Sequence, residues 1–162
     1  MEWREVVEHP DLRNLPFKIE TNEWGKILMT PISGTHELYQ SEIGRLLKRL
    51  EKGGRTSMEC PIQTSQGVKV ADIVWASTAF LQKHGARILL FPESPEVVVE
   101  VQSTSNFAAE MEEKKLLYFE AGAKELWLCD DEGNMRFLNP EGELERSQVF
   151  GDFPKHIDIE ME

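Results

Sequence analysis

Apolar residues follow two rhythms along this chain, and charged residues interrupt them at only a few points. Residues 17–21 (FKIET) and 26–30 (KILMT) alternate around the turn-forming NEWG, which predicts a β-hairpin. From Thr35 to about Lys52 the period lengthens. Ile43, Leu46, Leu47 and Leu50 recur at helical spacing, and Gly53-Gly54 ends the helix. Strands are predicted over 56–64 (TSMECPIQT) and 68–76 (VKVADIVWA), joined at Gln66-Gly67, and a short helix over 78–84. Residues 86–91 (ARILLF) fit either element. Pro95 introduces a valine-rich strand over 96–102, and Asn106 is placed to cap a helix that runs to about Ala121, just before Gly122. KELWLCD (124–130) predicts another strand and DEGN (131–134) a turn. MRFLN and ELERSQVF then read as a polar, edge-like pair. The order β-β-α-β-β-β-α-β-β predicts one α/β domain over 1–162, with a mixed central sheet flanked by helices. Strand 96–102, helix 107–121 and strand 124–129 have the composition of a right-handed crossover, so those two strands should be parallel. The valine run suits a strand covered on both faces.

Charges break these apolar patterns at three places. Glu100 sits in the run Val97, Val98, Val99 and Val101, on the face shared by Val98 and Gln102. Asp72 repeats the anomaly, sharing a face with Val68, Val70 and Val74. A lone carboxylate in an apolar strand must be neutral, ion-paired or bound to a cation. Were the two strands neighbours, the acids would either share a proton or hold a hard ion such as Mg²⁺. The third anomaly is Lys114, in the middle of the helical stripe Phe107, Met111, Tyr118 and Ala121. Lys115 falls at the edge of that stripe and Leu116 points away from it, hinting at an interface. Residue spacing leaves two readings open for the trio: a buried salt-bridge cluster or a catalytic centre.

Composition narrows the class without settling the chemistry. With 40% hydrophobic and 29% charged residues the chain reads as a globular domain. No apolar run is long enough to span a membrane, and MEWREVVEHPD lacks the apolar core of a signal peptide, which points to the cytoplasm. Two cysteines, Cys60 and Cys129, suit a reducing compartment, though a bridge between them stays open at this point. The net charge of −11 argues against nonspecific nucleic-acid binding by overall charge. Arg45, Lys48, Arg49, Lys52 and Arg55 form a basic stretch against it, which reads either as a solvated helix face or as a DNA contact.

The succession VADIVW, VVVEVQSTS and EEKKLLYFEAGAKELWLCD resembles the Uma-two-type restriction endonucleases, a branch of the PD-(D/E)XK nuclease superfamily. Lys114 and Tyr118 have that family's spacing, and Ala121-Gly122 and Glu125-Leu126-Trp127 match its sequel. Upstream, KIETNEWGKILMTPISGTH resembles its N-terminal hairpin, with the acid at Glu20 and the histidine at His36. The likeness covers roughly Phe17 to Asp130. It implies a restriction-endonuclease-like fold in which Asp72 and Glu100 bind Mg²⁺, or Mn²⁺ in its place, helped by the carbonyl of Val101. Ala71 stands where the superfamily name has proline. Gln102 stands where the motif lysine would be; it is a candidate to position water but supplies no charge, and the resemblance implies that Lys114 replaces the lysine from the following helix.

Hydrolysis of a phosphodiester needs a cation to neutralise developing charge and activate water, and an ammonium to orient that water. Glu20 would be an added ligand or general base, although a hairpin glutamate is expected at the surface. His36, near a helix start, is expected to be a polar residue without a catalytic part. The resulting reading is a Mg²⁺-dependent DNA endonuclease, with a symmetric dimer expected if both strands are cut. The alternative is a catalytically inactive nuclease fold serving as a structural or partner-binding module. A nuclease acting on RNA or branched DNA is not separable at this level.

Overall fold

The computed structural model describes residues 2–85, 87, 89–103, 105 and 107–159. A short helix, α1 (Trp3–Glu8), precedes the hairpin strands β1 (Phe17–Thr21) and β2 (Ile27–Pro31), which form a two-stranded antiparallel sheet of their own. The Asn22 side chain accepts the Trp24 and Lys26 amides and so shapes the turn. Helix α2 (Gly34–Leu50) follows, with the Ser33 hydroxyl accepting the His36 amide at its start. The remaining elements are β3 (Arg55–Thr64), β4 (Gly67–Ala76), α3 (Thr78–His84), β5 (Val97–Val101), α4 (Phe107–Glu120), β6 (Glu125–Cys129), β7 (Met135–Asn139) and β8 (Gly142–Leu144).

The main sheet has the order β3-β4-β5-β6-β7-β8, antiparallel throughout except for the parallel pair β5–β6 that α4 connects. That is the crossover expected from the valine run. One face meets α2, with Ile43 and Leu47 against Val97, Val99, Val101 and Trp127. The other meets α3 and α4, with Phe80, Met111 and Tyr118 near Val74, Val98 and Leu126. The valine strand is therefore buried on both faces, as its composition predicts. Leu46 and Leu50 are only partly buried at the margin of the α2 core.

The C-terminal part departs from expectation. β7 is an inner strand rather than an edge, with Met135, Phe137 and Leu138 buried. Of the predicted last strand, 143–150, only Glu143 and Leu144 fall in a strand, β8. Beyond it the chain turns back over the α2 face and buries Phe150, Phe153 and Ile157. Trp127 anchors this segment, its ring 4.6 Å from Phe153 and edge-on to Phe137 and Phe150. Truncating such a tryptophan costs about 3–5 kcal/mol. Helix α1 was not expected. Its Trp3 and Val6 cover Val68 and Val70 at the start of β4.

Cys60 and Cys129 are free, buried and on opposite faces of the sheet, so they form no bridge. Burial pushes both thiols up, Cys129 to about 12 with help from Asp130, and neither is a thiolate at neutral pH. Asn106, expected as a helix cap, and positions 86 and 88 lie outside the described residues. No helix among those described is long and apolar enough to cross a membrane.

Candidate active site

Five elements meet at one buried point, and three of them contribute pairs of residues at their own structural period. β1 supplies Lys18 and Glu20, two apart on one strand face. The first turns of α2 supply His36 and Gln40, and α4 supplies Lys114 and Tyr118, each pair four apart on one helix face. The sheet supplies the acids. β4 and β5 pair with Ile73 opposite Val99, and one further step in that register sets Asp72 opposite Glu100. Ladder bonding is replaced here by side chains. Asp72 Oδ2 accepts the Val101 amide at 2.8 Å, and the Gln40 side chain donates to the Asp72 carbonyl at 2.8 Å. On the other side of Asp72, Glu59 has φ +53°, where the β3–β4 pairing is interrupted between Met58 and Cys60. The Gln40 amide also donates to the Glu59 carboxylate, holding this irregular stretch to α2.

Each acid has one oxygen fixed and the other turned toward a common point. Asp72 Oδ2 is held by the Val101 amide and lies 3.1 Å from His36 Nε2, while Oδ1 lies 2.8 Å from Lys18 Nζ. Glu100 Oε1 accepts from the Tyr118 hydroxyl at 2.8 Å, while Oε2 faces Lys18 Nζ at 3.1 Å and Lys114 Nζ at 3.6 Å. Glu20 Oε2 accepts from Lys114 Nζ and from the Val70 amide, both at 2.8 Å. Among the described residues, His36 Nδ1 is buried without a hydrogen-bond partner.

This charge pattern separates the acids. Burial opposes ionisation of Asp72, but Lys18 and His36 overcome it and hold the carboxyl below its ordinary range. Glu20 is also held low, because Lys114 and Lys18 outweigh its burial. Glu100 goes the other way. Its burial, with Asp72 and Glu20 nearby, outweighs the two lysines and raises it. Burial disfavours charge on Lys18 too, yet Asp72, Glu100 and Glu20 keep its ammonium above the usual value. Burial, reinforced by the Glu100 charge, keeps the Tyr118 phenol protonated and therefore a donor.

The sequence-based assignments fare unevenly against this geometry. Asp72, Glu100 and Lys114 converge as expected, and Lys115 stays at the margin, paired with Glu112. Glu20 is not at the surface: it is 4% exposed and holds Lys114. His36 is likewise buried and contacts Asp72. Val101 reaches Asp72 through its amide. Gln102 instead lines a separate groove with Ser105, Phe107, Lys115, Asp130 and Arg136. Of the basic stretch, Arg45, Lys48 and Arg49 lie toward the far end of α2, about 14–20 Å along the helix from His36, while Lys52 follows the helix and Arg55 opens β3. Sequence reasoning missed Lys18, the cation closest to both Asp72 and Glu100. The signal was available, since strand alternation puts Lys18 on the face of Glu20.

Among the described residues no three His, Cys, Asp or Glu side chains are grouped as a metal site. The donor chemistry nonetheless suits a hard divalent ion. Two carboxylates turn one oxygen each to a point that a cation, Lys18 Nζ, already occupies. Glu20 and Lys114 line a groove of about 420 Å³ between the hairpin, β4 and α4, with Lys69, Glu113 and Leu117 on its walls.

The chain was compared with known proteins. The sequence profile of the Uma2 family, described as "Putative restriction endonuclease", matches residues 8–158. No curated protein matches. A crystal structure described as a putative nuclease belonging to DUF820, from Anabaena variabilis, superposes with a TM-score of 0.70 at 21% identity, covering 87% of each chain. That likeness shows that the two chains share a fold, which in this chain is a mixed six-stranded sheet with flanking helices. With its profile match spanning nearly the whole length, the chain belongs to the Uma2 family of restriction-endonuclease-like proteins.

Proposed function

We propose that this protein is a divalent-metal-dependent endonuclease that hydrolyses phosphodiester bonds in DNA. The observation that carries this reading is the placement of Glu20 and Lys114 on an open groove, with Glu100 and Asp72 directly behind them. Asp72 Oδ1 and Glu100 Oε2, with the Val101 carbonyl, would hold Mg²⁺ or Mn²⁺. When bound, the ion would neutralise charge on the phosphate and acidify a water. The protein's own groups prepare that centre. His36 and the Val101 amide fix the rotation of Asp72, and Tyr118 fixes Glu100. Glu20 holds the Lys114 ammonium at the groove, where it can orient water and stabilise charge developing on the phosphoryl oxygens. Gln102 lies off this centre and takes no part. Cutting both strands would call for a second copy, and the exposed Leu116 on α4 is one candidate contact.

Cleavage of supercoiled plasmid, single-stranded DNA, branched DNA and RNA, with Mg²⁺, Mn²⁺ or EDTA, tests the reading. The expected result is metal-dependent nicking of DNA that Asp72→Asn abolishes. Cleavage that survives Asp72→Asn, or no cleavage of any substrate, overturns it. One observation favours a second reading. Asp72, Glu100 and Glu20 are all already contacted by lysines, as in a purely structural cluster. A nuclease fold retained as a partner-binding module is what a stable, inactive protein would then represent.

A further inference from the structure

We propose that Lys18 is a tethered cation that keeps the metal position of this site closed, so that a divalent ion enters only as the Lys18 ammonium leaves. The inference rests on the reading of Asp72 and Glu100 as a metal-binding pair and adds to it a built-in competitor. Lys18 Nζ contacts the one oxygen of each acid that neutral donors and His36 leave unfixed, Asp72 Oδ1 at 2.8 Å and Glu100 Oε2 at 3.1 Å. No side chain other than Lys18 bridges both acids among the described residues. The side chain is buried, at 8% exposure, so this is not a surface lysine resting near an acid.

Charge balance points the same way. With all three carboxylates ionised and His36 neutral, Asp72, Glu100 and Glu20 carry one negative charge more than the ammonium groups of Lys18 and Lys114 that contact them can offset. Exchange of Lys18 for a dication supplies the missing positive charge. The lysine holds its place because its chain attachment gives it a high local concentration, not because one charge suits the pair better than two. Its attachment also permits withdrawal. Lys18 belongs to the β1–β2 hairpin, a separate sheet, whereas both acids belong to the main sheet. Lys114 cannot serve as the plug: it lies 3.6 Å from Glu100 and is held back by Glu20.

Calorimetric titration of Mn²⁺ and Mg²⁺ into wild type, Lys18→Met, Lys69→Met and Asp72→Asn, with thermal melting of each, tests the proposal. Lys69 is a buried ammonium on the same groove whose Nζ bonds the Thr21 carbonyl, so it controls for loss of a nearby charge. Lys18→Met should bind Mn²⁺ roughly tenfold more tightly than wild type or better, since one unit charge beside two carboxylates has been removed. It should melt lower than wild type without divalent ions and regain that loss when Mn²⁺ is added. Lys69→Met should bind like wild type, and Asp72→Asn should not bind at this site. Equal or weaker binding by Lys18→Met, or a destabilised Lys18→Met that Mn²⁺ does not restore, overturns the proposal. So does binding by Lys18→Met that persists when Asp72→Asn is added. If wild type binds as tightly as Lys18→Met through Asp72, the plug is wrong and the metal pair stands. If Lys18→Met binds tightly but neither protein cuts any nucleic acid, the plug stands and the nuclease reading falls.

Discussion

Glu100 and Glu125 lie on neighbouring strands and are buried alike, at 1% and 2% exposure, but they are accommodated in opposite ways. Glu125 Oε1 accepts from Trp127 Nε1 at 2.9 Å and the Ser147 hydroxyl at 2.6 Å, and Oε2 accepts from the Gln148 amide at 2.8 Å. These donors are neutral, short-reaching and fixed by the sheet or by the segment that folds back over α2. The arrangement pins that segment and offers no opening. Glu100 has one fixed donor, Tyr118, and otherwise meets ammonium groups on long stems that belong to other elements. A carboxylate closed by neutral donors is a structural part. One that faces long-stemmed ammonium groups from other elements beside a groove has partners that could be exchanged without unfolding the sheet.

The largest effects expected from breaking this contrast are catalytic. In a cleavage assay Lys114→Met should lose about 10²–10³-fold in turnover, the usual effect of removing one donor to developing charge. It should also melt well below wild type, because Glu20 then keeps its burial without a cation, a loss of about 3–5 kcal/mol for a broken buried pair. Adding Glu20→Gln should restore much of the melting temperature and none of the activity. An active Lys114→Met would remove the basis for distinguishing the two centres.

Next in size is the structural acid itself. Glu125→Ala leaves Trp127 Nε1, the Ser147 hydroxyl and the Gln148 amide short of a partner, at about 1–3 kcal/mol for each donor that water cannot reach. Its denaturation midpoint should fall in the same way with or without Mn²⁺, whereas substitutions around Glu100 should respond to the ion.

A subtler difference should appear with pH. Asp72 and Glu20 have folded pKa values held below the ordinary range. Their stabilising share is in place above the unfolded values of about 3.9–4.3 and is lost as pH falls through that range toward the lower folded values. Glu100 is raised, so the folded protein keeps a proton that the unfolded chain has released. Its contribution therefore weakens as pH rises from the unfolded value through the folded one. In melting curves without metal, Glu100→Gln should lose this decline on the less acidic side and keep the acid-side loss due to Asp72 and Glu20.

The smallest effect is expected at the basic stretch. Arg45 is exposed and pairs with Glu42 one turn away, a solvent-screened contact of little weight for stability. Arg45→Ala should leave both melting and cleavage close to wild type. A large loss of cleavage would mean that DNA crosses the far end of α2.

Strand and helix signals made most of the fold legible, because α2 keeps a helical period over several turns and β5 is an unbroken valine run between turn residues. β7 was misread as an edge, since Arg136 and Asn139 within MRFLN suggested solvent on a strand whose other residues are buried. The folded-back segment had no rhythm to read. Its Phe150, Phe153 and Ile157 are single anchors fitted to a surface that exists only after the sheet forms. In the site, Asp72, Glu100 and Lys114 were visible because each interrupts a long apolar pattern. Lys18 was not, and Glu20 and His36 were picked out only by the family resemblance, with their burial unforeseen. Their hairpin and helix start look amphipathic, and burial there depends on docking against β4, which local spacing does not encode. Strand alternation sets Lys18 on the face of Glu20, but only the docked fold brings a carboxylate pair from 54 and 82 positions away to enclose it.

The hairpin's attachment to β4 has a consequence for how the protein folds. Gly67 allows the Asn22 carbonyl to approach so closely that a Cβ there would lie 2.4 Å from it, at a positive φ that other residues adopt with strain. The Thr21 hydroxyl and the Glu20 carboxylate then take the Val68 and Val70 amides. Closing the site joins residues 82 and 94 positions apart, so its loop entropy is met only after the sheet and the crossover exist. The candidate site is thus expected among the last parts to assemble and the first to come undone. The Val68 and Val70 amides, inaccessible while the hairpin is docked, become its natural hydrogen-exchange reporters: their exchange measures how often the site opens in a protein whose sheet is still intact.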